Sequence, residues 1–262
     1  MALKMQKFLI IGSLMVASCL EPSSSVSHND VITAEIVGGQ NANIEDYPYQ
    51  LSLEKTGKHI CGASIITNDY AVTAAHCVFL NVVEDLKLRS GTSFRQYGGY
   101  LHPVSSITMH PKYKNRKLDY DIAVVKVKIP FAYGKQSQPV ALASKNPSIG
   151  TVGIVTGFGQ INEDGPVRPA QLQQLQVPIV SPDLCKQIVN DTLTSNMICA
   201  GISGGEGFCF GDSGGPLVIN GALVGIVSFM LPRCDDPYPQ VYADVPAMLE
   251  FVQSVFKNST NY

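Results

Sequence analysis

The feature that most restricts this chain is the brevity of its apolar runs. Residues 49–53 (YQLSL), 122–127 (IAVVKV), 151–156 (TVGIVT) and 217–219 (LVI) are each too short for a globular helix. Turn residues such as Thr56-Gly57 and Asn146-Pro147 separate them. Short strands punctuated in this way point to a β-sandwich or β-barrel. The 23 glycines and 16 prolines supply the turns. Residues 245–257 (VPAMLEFVQSVFK) differ: Val245, Met248, Leu249, Val252, Val255 and Phe256 recur at helical spacing, and Pro246 suits a first turn. This predicts a terminal helix packed on the core. Residues 222–231 are apolar but too few to cross a membrane, and read as a buried strand. With 45% hydrophobic and 15% charged residues the chain is not a disordered one. Lys plus Arg number 19 against 21 Asp plus Glu, which leaves no basic excess for nucleic acid.

The N-terminus reads as a targeting segment. Lys4 and Lys7 precede the apolar residues 8–16 (FLIIGSLMV), and the small residues Ala17, Ser18 and Cys19 follow. This is the secretory signal pattern, placed at residues 1–19. Val16-Ala17-Ser18-Cys19 also loosely matches a bacterial lipoprotein processing site. Export changes the meaning of the 7 cysteines. Cys19 lies in or beside the signal, which leaves Cys61, Cys77, Cys185, Cys199, Cys209 and Cys234. An even set in an exported chain reads as three disulfides, with fifteen pairings open. No C-x-x-C or H-E-x-x-H occurs, so no metal site is expected. Asn190-Asp191-Thr192 and Asn258-Ser259-Thr260 are acceptor sequons, so Asn190 and Asn258 are the glycosylation candidates in a eukaryotic source.

Four short motifs carry chemistry. In Gly211-Asp212-Ser213-Gly214-Gly215-Pro216, glycines free the backbone to turn sharply around one serine. A serine hydroxyl needs a base before it becomes a nucleophile, and neighbouring N–H groups in such a turn suit an oxyanion. Thr73-Ala74-Ala75-His76-Cys77 holds a histidine among small residues beside a cysteine. Asp121 opens the apolar run Ile122-Ala123-Val124-Val125, where burial demands a hydrogen-bonding partner, and His76 is a candidate. Ile36-Val37-Gly38-Gly39 follows a polar segment. Taken singly, each has a bland reading as a turn, a structural histidine or a strand start.

Together, in the order His, Asp, Ser, these motifs closely resemble the trypsin/chymotrypsin-like serine proteases, from Ile36 to about Lys257. The resemblance implies an all-β fold of two six-stranded antiparallel β-barrels with a C-terminal helix. It implies a protease domain at 36–262, with 20–35 as an activation propeptide. Ser213 would attack the scissile carbonyl, His76 would carry its proton, and Asp121 would orient the imidazole. Asp119 is the rival carboxylate, but the family's aspartate directly precedes the Ile-Ala pair. Gly211 and Ser213 would supply the oxyanion N–H groups. The pairs Cys61–Cys77, Cys185–Cys199 and Cys209–Cys234 follow from the same resemblance. His28, His59, His102 and His110 lack such context and read as surface residues. Residues 89–99 contain no carboxylate, so the family's calcium loop has no counterpart. No cofactor is implied.

The specificity pocket departs from trypsin. Gly207, six positions before Ser213, stands where trypsins carry Asp for a basic substrate side chain. Phe208 is bulky, and Ser228-Phe229-Met230 replaces Ser-Trp-Gly. Gln240 replaces a residue near the pocket base that is often glycine. This resembles elastases and favours a small or medium apolar residue before the cut bond. The implied protein is a secreted, monomeric endopeptidase acting on polypeptides, open to protein inhibitors and made as a zymogen. The alternative is a protease-fold binding or regulatory protein whose pocket is closed. In the family, a cut frees Ile36, whose amine pairs with Asp212. Here Glu35 precedes Ile36, and no Lys or Arg occurs from Leu20 to Glu35, so the activating protease must accept Glu.

Overall fold

The structure is a computed structural model that describes residues 37–160, 170–189, 192–201, 204–230 and 232–257. The expected signal and propeptide segments, Ile36, His28, Asn190 and Asn258 lie outside the described residues. In chain order the strands are β1 (Gln40–Asn41), β2 (Gln50–Lys55), β3 (Lys58–Ile65), β4 (Tyr70–Thr73), β5 (Leu86–Ser90), β6 (Tyr100–Met109) and β7 (Ala123–Val127). There follow β8 (Ala141–Leu142), β9 (Val152–Gly157), β10 (Gln173–Pro178), β11 (Met197–Ala200), β12 (Pro216–Ile219), β13 (Ala222–Phe229) and β14 (Gln240–Asp244). Among the described residues there are also three α-helices: α1 (Ala75–Val78), α2 (Pro182–Val189) and α3 (Leu249–Lys257).

Strands β2-β3-β4-β7-β6-β5 close into one antiparallel barrel. The second sheet runs β10-β9-β12-β13-β14-β11, and an antiparallel bridge between Ile179 and Ala200 joins its two ends. β1 adds to the outer edge of β10, and β8 lies parallel to β13. The β2–β3 hairpin turns at Thr56 and Gly57, both with positive φ (48° and 79°), the backbone hand that matches strand twist in a two-residue loop. Along β5, buried Leu86, Leu88 and Ser90 alternate with Lys87 and Arg89, the period of a strand with one inward face. β2 has no such alternation, because Gln50 to Glu54 are all buried. Its outward residues meet other protein: Thr156 on β9 donates to Gln50 Oε1 at 2.6 Å.

Leu51, Leu53, Ile65, Val72, Leu88 and Val125 belong to the first core; Val155, Val177, Leu217, Val227 and Tyr242 belong to the second. The expected terminal helix begins as a 3-10 turn at Pro246–Met248 and continues as α3. Just before its N-cap, Asp244 accepts from Ala247 N at 3.0 Å. Met248 and Val252 join the first barrel's core, and Phe256 lies against Tyr70, so the C-terminal helix returns to the first half of the chain. The three disulfides are Cys61–Cys77, Cys185–Cys199 and Cys209–Cys234.

Two histidines expected at the surface are in fact buried: His59 and His102 are each 3% exposed. Each ring is satisfied at both nitrogens. His102 Nδ1 donates to the Ile129 carbonyl (2.8 Å), so Nε2 accepts from Ser90 Oγ (2.9 Å). His59 Nε2 donates to the Gly211 carbonyl (2.9 Å), so Nδ1 accepts from Ser52 Oγ (2.8 Å). Polar partners from other strands made burial possible, and local sequence does not display them. His110 is half-buried, stacked on Tyr120 and edge-on to Phe251. Burial holds the His102 and His110 imidazoles below their ordinary pKa.

Candidate active site

The site is assembled at the seam between the barrels. β4 ends at Thr73, and the short helix α1 carries His76. The Cys61–Cys77 disulfide ties α1 to β3. Asp121 lies two residues before β7 and is 1% exposed. Its carboxylate accepts three bonds: from His76 N at 2.9 Å, His76 Nδ1 at 2.7 Å and Ser228 Oγ at 2.6 Å. A carboxylate this buried needs such donors to replace the water it has lost. The contact through Nδ1 fixes the tautomer and leaves Nε2 as the working nitrogen. The His76 side chain is 24% exposed and that of Asp121 0%, so only the imidazole is open to a substrate.

Ser213 arrives on the turn between Cys209 and Pro216. Asp212 N donates to Cys209 O (3.0 Å) and Gly215 N to Asp212 O (2.8 Å), which folds the turn on itself. Gly211 (φ 104°) and Gly214 (φ 79°) adopt backbone angles that side chains resist. A Cβ on Gly214 would strike Thr73 Oγ1 and the Gly62 carbonyl. The glycine therefore lets the turn press against the segment leading to His76. Gly62 N donates to Ser213 O (2.7 Å), and His59 holds the Gly211 carbonyl from behind. The N–H groups of Gly211 and Ser213 find no protein acceptor among the described residues. They are thus available to an oxyanion. Among those residues Ser213 Oγ also has no hydrogen bond, so the structure joins His76 to Asp121 but does not bond Ser213 to His76. Such bonds are often long before substrate closes the site.

The pocket candidates gather beside this turn. Gln240 lies across Gly207, whose missing side chain leaves the room: a Cβ there would collide with the Gln240 amide. That amide accepts from Phe208 N (2.6 Å) and donates to Phe208 O (2.8 Å). The Phe208 ring is buried edge-on against Tyr242. Ser228 is committed to Asp121, while Phe229 and Met230 are half-buried. Phe210 stands 48% exposed beside the turn. Gly207 N also donates to Val37 O at 3.1 Å, which holds the chain just after Ile36 against Gly207. Asp212 is fully buried and accepts from Gly159 N and Cys209 N. Ile36, its expected partner, lies outside the described residues.

Sequence reasoning missed the braces of this site: Ser52 and His59 behind Gly211, Thr73 on Gly62, and Asp119 on Thr194 and Asn196. These pairs span up to 152 residues, and no local pattern announces them.

Comparison with known proteins agrees with this geometry. The trypsin family model matches residues 36–252. Trypsin delta of Drosophila melanogaster is 37% identical over 253 residues, covering 95% of this chain and 99% of the relative. The vitellin-degrading protease of Bombyx mori is 38% identical over 231 residues, 86% of each chain. Among solved structures, neuropsin, a serine protease of mouse brain, superposes with a TM-score of 0.79 at 29% identity, covering 83% of this chain and 98% of its own.

Proposed function

The chain belongs to the trypsin family of serine proteases, and we propose that it is a secreted, monomeric endopeptidase, made as a zymogen, that cuts after small or medium apolar residues. The observation that carries this reading is the buried Asp121 carboxylate at 2.7 Å from His76 Nδ1. In this mechanism Ser213 Oγ attacks the carbonyl carbon as its proton passes to His76 Nε2. The imidazolium, paired with Asp121, then protonates the leaving amine, and water repeats the sequence on the acyl-enzyme. The Gly211 and Ser213 N–H groups hold the oxyanion. The absence of charge at Gly207, and the Gln240 amide across it, support an apolar preference over Arg or Lys. Secretion rests on the signal-like residues 1–19 and on three disulfides, which persist in oxidising compartments. Zymogen activation is supported by Val37 bonded to Gly207 and by the burial of Asp212, the partner expected for an amine at Ile36 once a protease cuts after Glu35.

A second reading has its own observation. Gln240 fills the space over Gly207, where the pocket floor is expected, as a closed-pocket binding or regulatory protein would require. One experiment separates the two. Activated protein is treated with a fluorophosphonate probe and, in parallel, profiled on a peptide library. Labelling that Ser213→Ala abolishes, with cleavage after Ala, Val or Leu, is the expected result. Labelling without cleavage of any peptide supports the closed-pocket protein. Turnover retained in Ser213→Ala, or a profile led by Arg and Lys, would overturn the proposal.

A further inference from the structure

We propose that Asp119, the carboxylate passed over in favour of Asp121, is a positioning residue that pins the turn carrying Asp121 to the second barrel. The inference rests on reading His76 and Asp121 as the catalytic pair.

Asp119 is flanked by two residues in the left-handed region, Leu118 (φ 49°) and Tyr120 (φ 55°). Neither leucine nor tyrosine favours that backbone, so surrounding contacts must hold it there. Asp119 is 8% exposed, and one of its oxygens gathers three donors. Thr194 Oγ1 approaches Oδ1 at 2.7 Å, Asn196 Nδ2 at 2.9 Å and Tyr120 N at 3.0 Å. The last bond fixes the strained turn itself. The other two come from the segment that leads into β11, in the other half of the molecule. That segment is firmly set: Asn196 O accepts from Asp244 N at 2.9 Å. From the far side the Tyr120 ring stacks on His110 at 4.4 Å, and His110 meets Phe251 on α3.

Asp121 sits immediately beyond this clamp. Its carboxylate must satisfy His76, from the first barrel, and Ser228, on β13 of the second. The two bonds can both be short only while the barrels keep their mutual register. Asp119 is the cross-barrel contact next to Asp121 in the chain, and it acts on the same strained backbone. A hydrogen bond that merely stabilised the fold would change melting and leave chemistry alone. A clamp on Asp121 changes the chemical step at constant substrate binding.

The test uses activated enzyme, with active sites counted by fluorophosphonate titration. Asp119→Ala should lower kcat about 10- to 100-fold, because displacement of a catalytic group by a fraction of an ångström is felt at that scale. KM should stay within about twofold, the signature of an interaction expressed in the transition state. The low-field proton resonance of His76 Nδ1–H, hydrogen-bonded to Asp121, should broaden or move. Asp119→Asn keeps an oxygen for the same donors and should restore both kcat and the resonance. Thr194→Val removes one donor and should lower kcat about two- to fivefold; if Asp119→Ala does not fold, this variant decides. Folded Asp119→Ala or Thr194→Val with native kcat and an unmoved resonance overturns the proposal, as does Asp119→Asn being as impaired as Asp119→Ala. Asp121→Asn is the control. If it is inactive while Asp119→Ala runs at full rate, only the role of Asp119 falls. If Asp121→Asn itself retains native turnover, the catalytic pair was misassigned and the inference goes with it.

Discussion

Gln240→Gly is the perturbation that most directly questions the pocket. The Gln240 amide makes two bonds to the Phe208 backbone, at 2.6 and 2.8 Å, and fills the space over Gly207. Each bond contributes about 0.5–1.5 kcal/mol net, so their loss should destabilise the fold by roughly 1–3 kcal/mol. Water entering the opened pocket and bonding Phe208 would bring the cost toward the lower figure. The vacated floor then admits longer side chains. Leu exceeds Ala by three carbons, and at about 0.8 kcal/mol per buried methylene this is about 2.4 kcal/mol, or roughly 60-fold, as an upper limit. The ratio of kcat/KM for Leu over Ala before the cut bond should therefore rise by about 10- to 60-fold in the variant. Two otherwise identical peptide substrates measure it, at a temperature where melting shows both proteins folded. An unchanged ratio in a folded variant would refute the argument, since it would mean that Gln240 does not bound the pocket.

Two further outcomes follow from the sequence and the buried imidazoles. Proenzyme exposed to a Glu-specific endopeptidase should gain activity with Ile36 as its new N-terminus, whereas trypsin should not yield that terminus; N-terminal sequencing decides, and a clean Ile36 end from trypsin contradicts the argument. Stability should fall as pH drops below about 6.5, the ordinary histidine value, because buried His102 and half-buried His110 have lowered pKa and the unfolded chain binds protons that the folded chain refuses. The stability these neutral rings contribute is complete above the unfolded pKa and is lost as pH falls toward the folded values. Urea midpoints of inert Ser213→Ala between pH 7.5 and 5.5 measure it, and a midpoint that rises on acidification would refute the sign.

Much of this was legible because it is local. The short apolar runs that form β2, β7, β9 and β12, the Thr56-Gly57 turn and the spacing of residues 245–257 each report a structure that their own side chains dictate. The motifs around His76, Asp121 and Ser213 were legible through resemblance, and the structure adds the bond between the first two. What stayed hidden depends on distant partners. His59 and His102 resemble surface histidines until Ser52, Ser90 and two carbonyls are brought to their rings. The sequence around Ser228 suggests a pocket residue but does not show that its hydroxyl also serves a carboxylate 107 positions away. Gln240 is unusual in sequence, but its grip on Phe208 depends on a partner 32 residues away.

The seam between the barrels has a consequence for a population of such molecules. Gly62 to Ser213, His59 to Gly211, Ser228 to Asp121 and Thr194 to Asp119 all cross it. A copy whose halves part loses the alignment of its working groups at the moment its strands become digestible. Proteolysis among neighbours acts on such open forms in proportion to their abundance. The copies open to attack are thus the ones whose working groups are already out of register.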